Sequence, residues 1–189
     1  MVLALLLAAT TNGPARAEPV GWTAGPAADA TMDKGRLFSC DGPGCPPGGL
    51  ACLHAVAPGA PGKGRTLRVH DMLRPKAFPW KDFEGWMAMK APAVRPDLAS
   101  ASRVLAALVP AGLERIGERD FMRRSYVMKA GAQQDAVEIA TWVTDNQLNT
   151  AFCALDMVDR PAEGARIRAF FGAMNVSPPA PPYDPLAQH

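Results

Sequence analysis

The chain of 189 residues has little histidine and little net charge. Its three histidines are His54, His70 and His189, and the sequence contains no G-x-S-x-G motif, no H-E-x-x-H motif and no phosphate-binding glycine loop. Twenty basic residues oppose 18 acidic residues, for a formal charge of +2. Nucleic-acid binding driven by net charge and a strongly acidic solvating chain are therefore excluded. A binding or assembly role without catalysis is favoured over a familiar class of enzyme.

Long hydrophobic runs are also lacking. The apolar stretch at residues 2–9 is only eight residues long, whereas a helix that spans a bilayer needs about 20. Ala15-Arg16-Ala17 follows, which is the small-residue ending that signal peptidases cleave. We therefore expect residues 1–17 to be a cleaved signal peptide and the mature chain to be soluble, in the periplasm or secreted, without a membrane span. The alternative is a buried N-terminal core segment.

Cysteine is scarce but even in number, at Cys40, Cys45, Cys52 and Cys153. In an exported chain an even number indicates disulfides. The first three cysteines lie within 13 residues, so any complete pairing joins Cys153 to this N-terminal cluster. Three pairings remain open, of which Cys40–Cys45 with Cys52–Cys153 is preferred. A zinc site is the alternative, although the C-x4-C-x6-C spacing lacks the close pairs of common structural zinc sites.

The composition divides the rest of the chain into three parts. Residues 18–34 predict a loosely ordered lead-in, and the proline-rich residues 177–189 predict a disordered tail. A single α+β domain is expected between them, at residues 35–176. It begins with a hairpin of two strands, 35–40 and 50–56, whose glycine- and proline-rich turn the disulfides would stabilise.

Prolines and a leucine stripe determine the prediction for the middle of the chain. Pro75 and Pro79 argue against a long helix after residue 71. Asp97 can cap a later helix, because Leu105 and Leu108 fall on one face with Leu98 and Ala101. The predicted elements are a strand at 66–70, a short helix at 81–86, a strand at 86–90, a helix that begins at Asp97 and ends before Pro110, and strands at 113–116 and 121–129.

The strongest local pattern is the alternation of apolar and polar residues at 137–143 and 148–154. With Asp145-Asn146 as a two-residue turn, the two segments form a hairpin with one core face. The predicted cross-strand partners are Val143 and Leu148, Thr141 and Thr150, and Ile139 and Phe152. Cys153 then lies on the opposite face, where it can reach the N-terminal hairpin.

A last helix is expected after this hairpin, since Asp159 can cap it and Pro161 suits its first turn. Its apolar stripe consists of Ile167, Phe170, Phe171 and Met174. The whole pattern predicts an α+β fold, an antiparallel sheet with one or two helices packed on a face. Residues 122–174, which include SYVMKAG…VEIATWVTDNQLNTAFCALDM…ARIRAFFGAM, resemble the closing strand–hairpin–helix of Mog1/PsbP-like domains. This resemblance implies a binding or assembly module and transfers no catalytic residue.

Two groups of residues are candidate ligand sites. In strands, residues two apart share a face, so His70 and Met72 could bind copper(I) together with Met87 and Met89. The same methionines can instead fill the core. The aromatic group Phe78, Trp80, Phe83 and Trp86 could line a ligand groove or a partner surface, or form a corner of the core.

Two further patterns have a catalytic or anion-binding interpretation. An unrecognised thiol or hydrolytic enzyme is a further alternative: Cys52 and His54 share a strand face, so they could form a catalytic pair, provided that the thiol is free. Arginines at 115, 119, 123 and 124 alternate with the acidic residues 114, 118 and 120. We interpret this second group as a surface patch of salt bridges.

Overall fold

The computed structural model describes residues 20–25, 36–56, 68–74, 78–96, 103–144 and 147–174. The predicted signal peptide at 1–17, the tail at 177–189 and most of the lead-in lie outside these residues. The described elements, in chain order, are β1 (Trp22–Ala24), β2 (Arg36–Cys40), β3 (Ala51–Val56), a 3-10 helix (Val69–Leu73), α1 (Trp80–Val94), β4 (Arg103–Ile116), β5 (Arg119–Ala130), β6 (Gln133–Thr144), β7 (Gln147–Asp156) and α2 (Arg160–Ala173).

The seven described strands form one antiparallel sheet in the order β1-β2-β3-β7-β6-β5-β4. The N-terminal hairpin, β2 and β3, is confirmed, and β3 joins the C-terminal hairpin by pairing with β7. Within that second hairpin, all three predicted cross-strand pairs are observed. The two residues of its predicted turn, 145 and 146, lie outside the described residues.

The sheet separates two apolar cores, because successive strand residues point to opposite faces. On face A, α1 and the 3-10 helix cover residues such as Ile139 and Phe152. On face B, α2 covers residues such as Ala140 and Cys153. The predicted α+β class is confirmed, and of the described α-helices α1 lies on face A and α2 on face B.

The predicted stripe of α2 is the side of the helix that packs on face B. Ile167, Phe170 and Phe171 are at most 1% exposed, and burying each contributes about 1.5–3 kcal/mol. Pro161 lies in the first turn, where its missing N–H costs nothing. The sequence therefore specified both the start of α2 and its packing face.

The helix predicted at 81–86 is part of a longer helix, and the strand predicted at 86–90 is wrong. A single helix, α1, runs through this segment, with Pro79 as its N-cap residue and Pro92 in its last turns. Prolines are tolerated best at a helix start, since the first N–H groups have no partner within the helix. Phe83, Met87, Ala91 and Val94 are its buried residues. Their spacing of four, four and three residues forms one apolar stripe on face A.

Two more predicted elements differ from the structure. The strand expected at 66–70 is a 3-10 helix over its described end, beginning at Val69. The helix expected from Asp97 is wrong where the structure describes it, because residues 103–116 form the edge strand β4. Long-range pairing with β5 overrides the local leucine stripe. Pro110 lies in an irregular part of β4 between Val109 and Gly112, where an edge strand tolerates a missing N–H.

Candidate functional site

The cysteines form the preferred disulfides, Cys40–Cys45 and Cys52–Cys153. No cysteine is free, so neither the zinc site nor the thiol enzyme has a sulfur available. His54, the proposed partner of a Cys52 thiol, instead stacks on Trp142 at 5.2 Å between ring centroids. The Nε2 atom of His54 lies 3.2 Å from Oδ1 of Asn149.

The four proposed copper ligands do not form one set. Met87 is 1% exposed and Met89 is 68% exposed, because residues two apart in an α-helix point to different sides. His70 is exposed and Met72 is buried in the core of face A. The strand geometry from which these ligands were predicted is absent at both places, and copper binding is not supported.

The four aromatic residues proposed for binding meet at the start of α1. Phe78 and Phe83 are buried, whereas Trp80 and Trp86 are partly buried and pack against the same core. Edge-to-face contacts join Phe78 to Trp80 at 4.9 Å and to Phe83 at 5.3 Å between centroids. The cluster therefore provides a corner of the face A core.

Arg124 crosses this corner between two aromatic rings. Its guanidinium carbon lies 4.5 Å from the ring centre of Trp80 and 4.8 Å from that of Tyr126, and it pairs with Glu84 at 3.4 Å. Burial raises the pKa of Tyr126 well above its usual range, with Arg124 opposing that shift. Within the described part of the chain, neither the Tyr126 hydroxyl nor Nε of Arg124 has a hydrogen-bond partner.

Arg123 points to the opposite face and lies beneath α2. It donates to Glu114 at 2.9 Å and to the backbone oxygen of Ile139 at 2.9 Å, and its guanidinium lies over the ring of Phe171. Burial lowers the pKa of the Arg123 guanidinium. Glu138 also accepts hydrogen bonds from Ser125, Arg160 and Arg123.

The prediction of a surface patch is therefore wrong for Arg123 and Arg124, which are largely buried on opposite faces. It describes Arg115 correctly, since this residue forms an exposed pair with Asp120 at 3.1 Å. Arg123 and Arg124 act as internal ties on opposite faces, because successive residues of a strand alternate between the two cores.

A cleft of about 350 Å³ lies between the end of α1 and the N-terminal hairpin. Ser39 and Ala51 of the hairpin and Val94, the last residue of α1, are among the residues that line it. Next to it, Arg95 binds Asp135 and Asp156, each at 3.2 Å. Arg95 is thus committed to two carboxylates at the cleft wall.

The edge strand β4 has the most unusual surface of the described chain. Four of the eight exposed large hydrophobic residues lie on it: Val104, Leu108, Val109 and Leu113. No residue from Val104 to Leu113 is charged, although exposed edge strands usually include charges that prevent association. Sequence reasoning missed this surface because it predicted a helix there. The uncharged run of ten residues is the feature of the sequence that could have indicated this exposed apolar surface.

No family model and no curated protein matches the chain. Among solved structures, the chain is similar to cyanobacterial PsbP from Synechocystis sp. PCC 6803, at 12% sequence identity and a TM-score of 0.44. The match covers 82% of this chain and 81% of that chain. It agrees with the PsbP-like resemblance of residues 122–174 and is a weak likeness of fold alone. Among the described residues, no helix is long and apolar enough to cross a membrane.

Proposed function

We propose that this protein is an exported accessory that acts by docking on another protein, without catalysis, and that β4 is its docking edge. The observation on which the proposal depends is the largely exposed, uncharged run of residues 104–113 in β4, at the end of the described sheet. Contiguous exposed apolar surface at a sheet edge is typical of protein interaction sites.

The disulfides support the exported location. Disulfides persist in oxidising compartments and are rare in the cytosol, and all four cysteines of this chain are paired. The Cys52–Cys153 bond is fully buried between the sheet and α2. A folded chain with this core is therefore suited to the periplasm or to secretion.

The internal use of the charged residues supports binding over catalysis. Arg95, Arg123 and Arg124 all pair with carboxylates inside the fold or at its margin. Their geometry is that of structural ties between helices and sheet. The exposed apolar side chains of β4, in contrast, are not buried in either described core.

The test is site-specific photo-cross-linking in the producing cells. A photoreactive side chain at Ala106, exposed on β4, is compared with the same side chain at Ala165, exposed on α2. We expect a discrete cross-linked protein band from position 106 and none from position 165. No cross-link at position 106, or equal products from both positions, would contradict docking through β4.

A second measurement tests the location independently. We expect fractionation of the producing cells to recover the protein outside the cytosol, with no thiol that reacts with a maleimide reagent under denaturing conditions. Recovery in the cytosol with four reactive thiols would contradict export.

A further inference from the structure

We infer that the Cys40–Cys45 disulfide is a site of thiol–disulfide exchange, which a dithiol reductant opens while Cys52–Cys153 stays intact. Its opening releases the loop at residues 41–49 from the cleft that this loop lines. The inference goes beyond the proposed docking function and depends on different residues.

The two disulfides differ in their access to a reductant. Cys40 and Cys45 are both partly exposed, whereas Cys52 and Cys153 are each 0% exposed. A thiolate must reach a sulfur atom to exchange with a disulfide, so the rate of exchange depends on access. The buried bond becomes available only when α2 separates from the sheet. The exposed bond is available in the folded protein.

The loop around the exposed bond leaves room for a reductant. Residues 41–49 read DGPGCPPGG, so the loop itself has no large side chain that could cover the sulfur atoms. Pro46 is the one buried residue among these nine. Exposed disulfides are the labile and regulatory ones, whereas buried structural disulfides resist reduction.

The exchange is a two-electron reduction of the disulfide by the dithiol. One thiolate of the reductant attacks a sulfur atom of the disulfide, forms a mixed disulfide with it and releases the other sulfur as a thiolate. The second thiolate of the reductant then displaces the attached cysteine and closes the reductant's own disulfide. The dithiol is thereby oxidised, and its two protons end on Cys40 and Cys45.

The disulfide is the covalent tie between this loop and the end of β2. The other described contacts of the loop include two backbone hydrogen bonds within it, donated by Cys45 at 3.1 Å and by Gly49 at 2.9 Å. A third comes from α2, where Arg166 donates to the backbone oxygen of Gly44 at 2.8 Å in an exposed position. Water can replace exposed hydrogen bonds at little net cost. We therefore expect the reduced loop to open.

The loop forms one wall of the cleft beside α1. Cys40, Asp41, Gly48 and Gly49 line the cleft from this side, and the end of α1 lines it from the other. Leu50 also lines the cleft and is 3% exposed in the oxidised protein. Release of the loop would remove one wall and expose this apolar side chain. The redox state of one disulfide would thus control access to the cleft.

The test of selective exchange starts from purified protein with both disulfides formed. Dithiothreitol is the dithiol probe, samples are blocked with N-ethylmaleimide at intervals, and peptide mass spectrometry identifies the labelled cysteines. We expect Cys40 and Cys45 to be labelled together, at least about tenfold faster than Cys52 and Cys153. Urea below the unfolding midpoint should accelerate labelling of the buried pair only, because that pair requires unfolding.

Hydrogen exchange tests the release of the loop. After selective reduction, the amide groups of residues 41–49 should exchange about tenfold faster, whereas those of β6 and β7 should keep their rates. The variant Cys40→Ser/Cys45→Ser supplies the control. It should show the same faster exchange without reductant, and added dithiothreitol should not change it further.

The outcomes separate the two parts of the inference. Equal labelling rates for the two disulfides, or earlier labelling of Cys52 and Cys153, would overturn selective exchange. Unchanged exchange at residues 41–49 after reduction, or faster exchange that spreads to β6 and β7, would overturn release of the loop. None of these results affects the cross-link from position 106, so this inference and the docking function can fail separately.

Discussion

Cys52 and Cys153 lie directly opposite each other on β3 and β7, and their disulfide joins these strands beneath α2. Their Cα atoms are 4.0 Å apart, although 101 positions separate them in sequence. The bond therefore connects the N-terminal hairpin to the C-terminal hairpin at the pairing that completes the sheet. Cys40–Cys45, in contrast, closes a loop within the N-terminal hairpin.

The two disulfides should differ in their contribution to stability. The double variant Cys52→Ala/Cys153→Ala should lower the free energy of unfolding by about 4–5 kcal/mol, and Cys40→Ala/Cys45→Ala by about 2 kcal/mol, because the entropy removed from the unfolded chain grows with loop length. Urea unfolding of both variants measures the difference. Equal losses, or a larger loss from the short loop, would contradict this expectation.

Arg95 should contribute strongly to the stability of the fold, because it pairs with carboxylates on both β6 and β7. Asp135 and Asp156 face each other across β6 and β7, and the Asp135 side chain is 0% exposed. Arg95→Ala leaves a buried carboxylate without its cation beside another carboxylate, so we expect a loss of about 3–5 kcal/mol. Arg115→Ala, which removes an exposed pair, should cost at most about 1 kcal/mol. Chemical denaturation that finds the two losses equal would refute the assignment.

Tyr126 should stay protonated at a pH where an ordinary tyrosine ionises. Its pKa is raised from 10.0 by burial, so the folded state favours the neutral phenol. The stability linked to this group is fully present below pH 10.0 and is lost as the pH rises above it, since the unfolded chain then ionises first. Tyrosinate absorbance during alkaline titration should show one tyrosine ionising only as the protein unfolds.

The matched variant for this titration is Tyr126→Phe. It should remove the late ionisation, and it should change stability at neutral pH by less than about 1 kcal/mol, because the hydroxyl has no hydrogen-bond partner among the described residues. A loss of several kcal/mol would mean that the hydroxyl is well bonded.

The two methionines of α1 should respond differently to truncation. Met87→Ala creates a cavity in the core of face A and should cost about 2–5 kcal/mol. Met89→Ala changes an exposed side chain and should stay within about 0.5 kcal/mol of the unmodified protein. Thermal unfolding of the two variants checks this. Similar losses would contradict the placement of α1.

The C-terminal hairpin, β6 and β7, shows how much of the fold a local sequence pattern can predict. An alternation of period two over both strands specifies which residues share a face, and a slip of one residue would expose the apolar set. The predicted partners of Ile139 and Val143 are therefore observed. The same alternation predicted that Cys153 lies on the opposite face of the hairpin. This placement agrees with its disulfide bond to Cys52.

The secondary-structure prediction failed where the same residues fit both a helical and a strand pattern. Leu105 and Leu108 fit a helical stripe, yet they lie in β4, since pairing with β5 decides the backbone there. Proline alone also misled the prediction for α1, because its cost depends on its position within a helix. As a result, both the exposed edge strand β4 and the separation of Met87 from Met89 were missed.

The sequence by itself determined the α+β class, the C-terminal hairpin with its register, the apolar face of α2 and the need for Cys153 to reach the N-terminal cysteines. Each of these follows from periodicity or from residue chemistry over a short stretch. Only the tertiary structure decided that the helices cover opposite faces, that Arg123 and Arg124 are internal ties, and that the uncharged residues 104–113 belong to β4 at the edge of the described sheet. Those outcomes depend on contacts between residues distant in sequence, and no local pattern encodes which strand remains without a second neighbour.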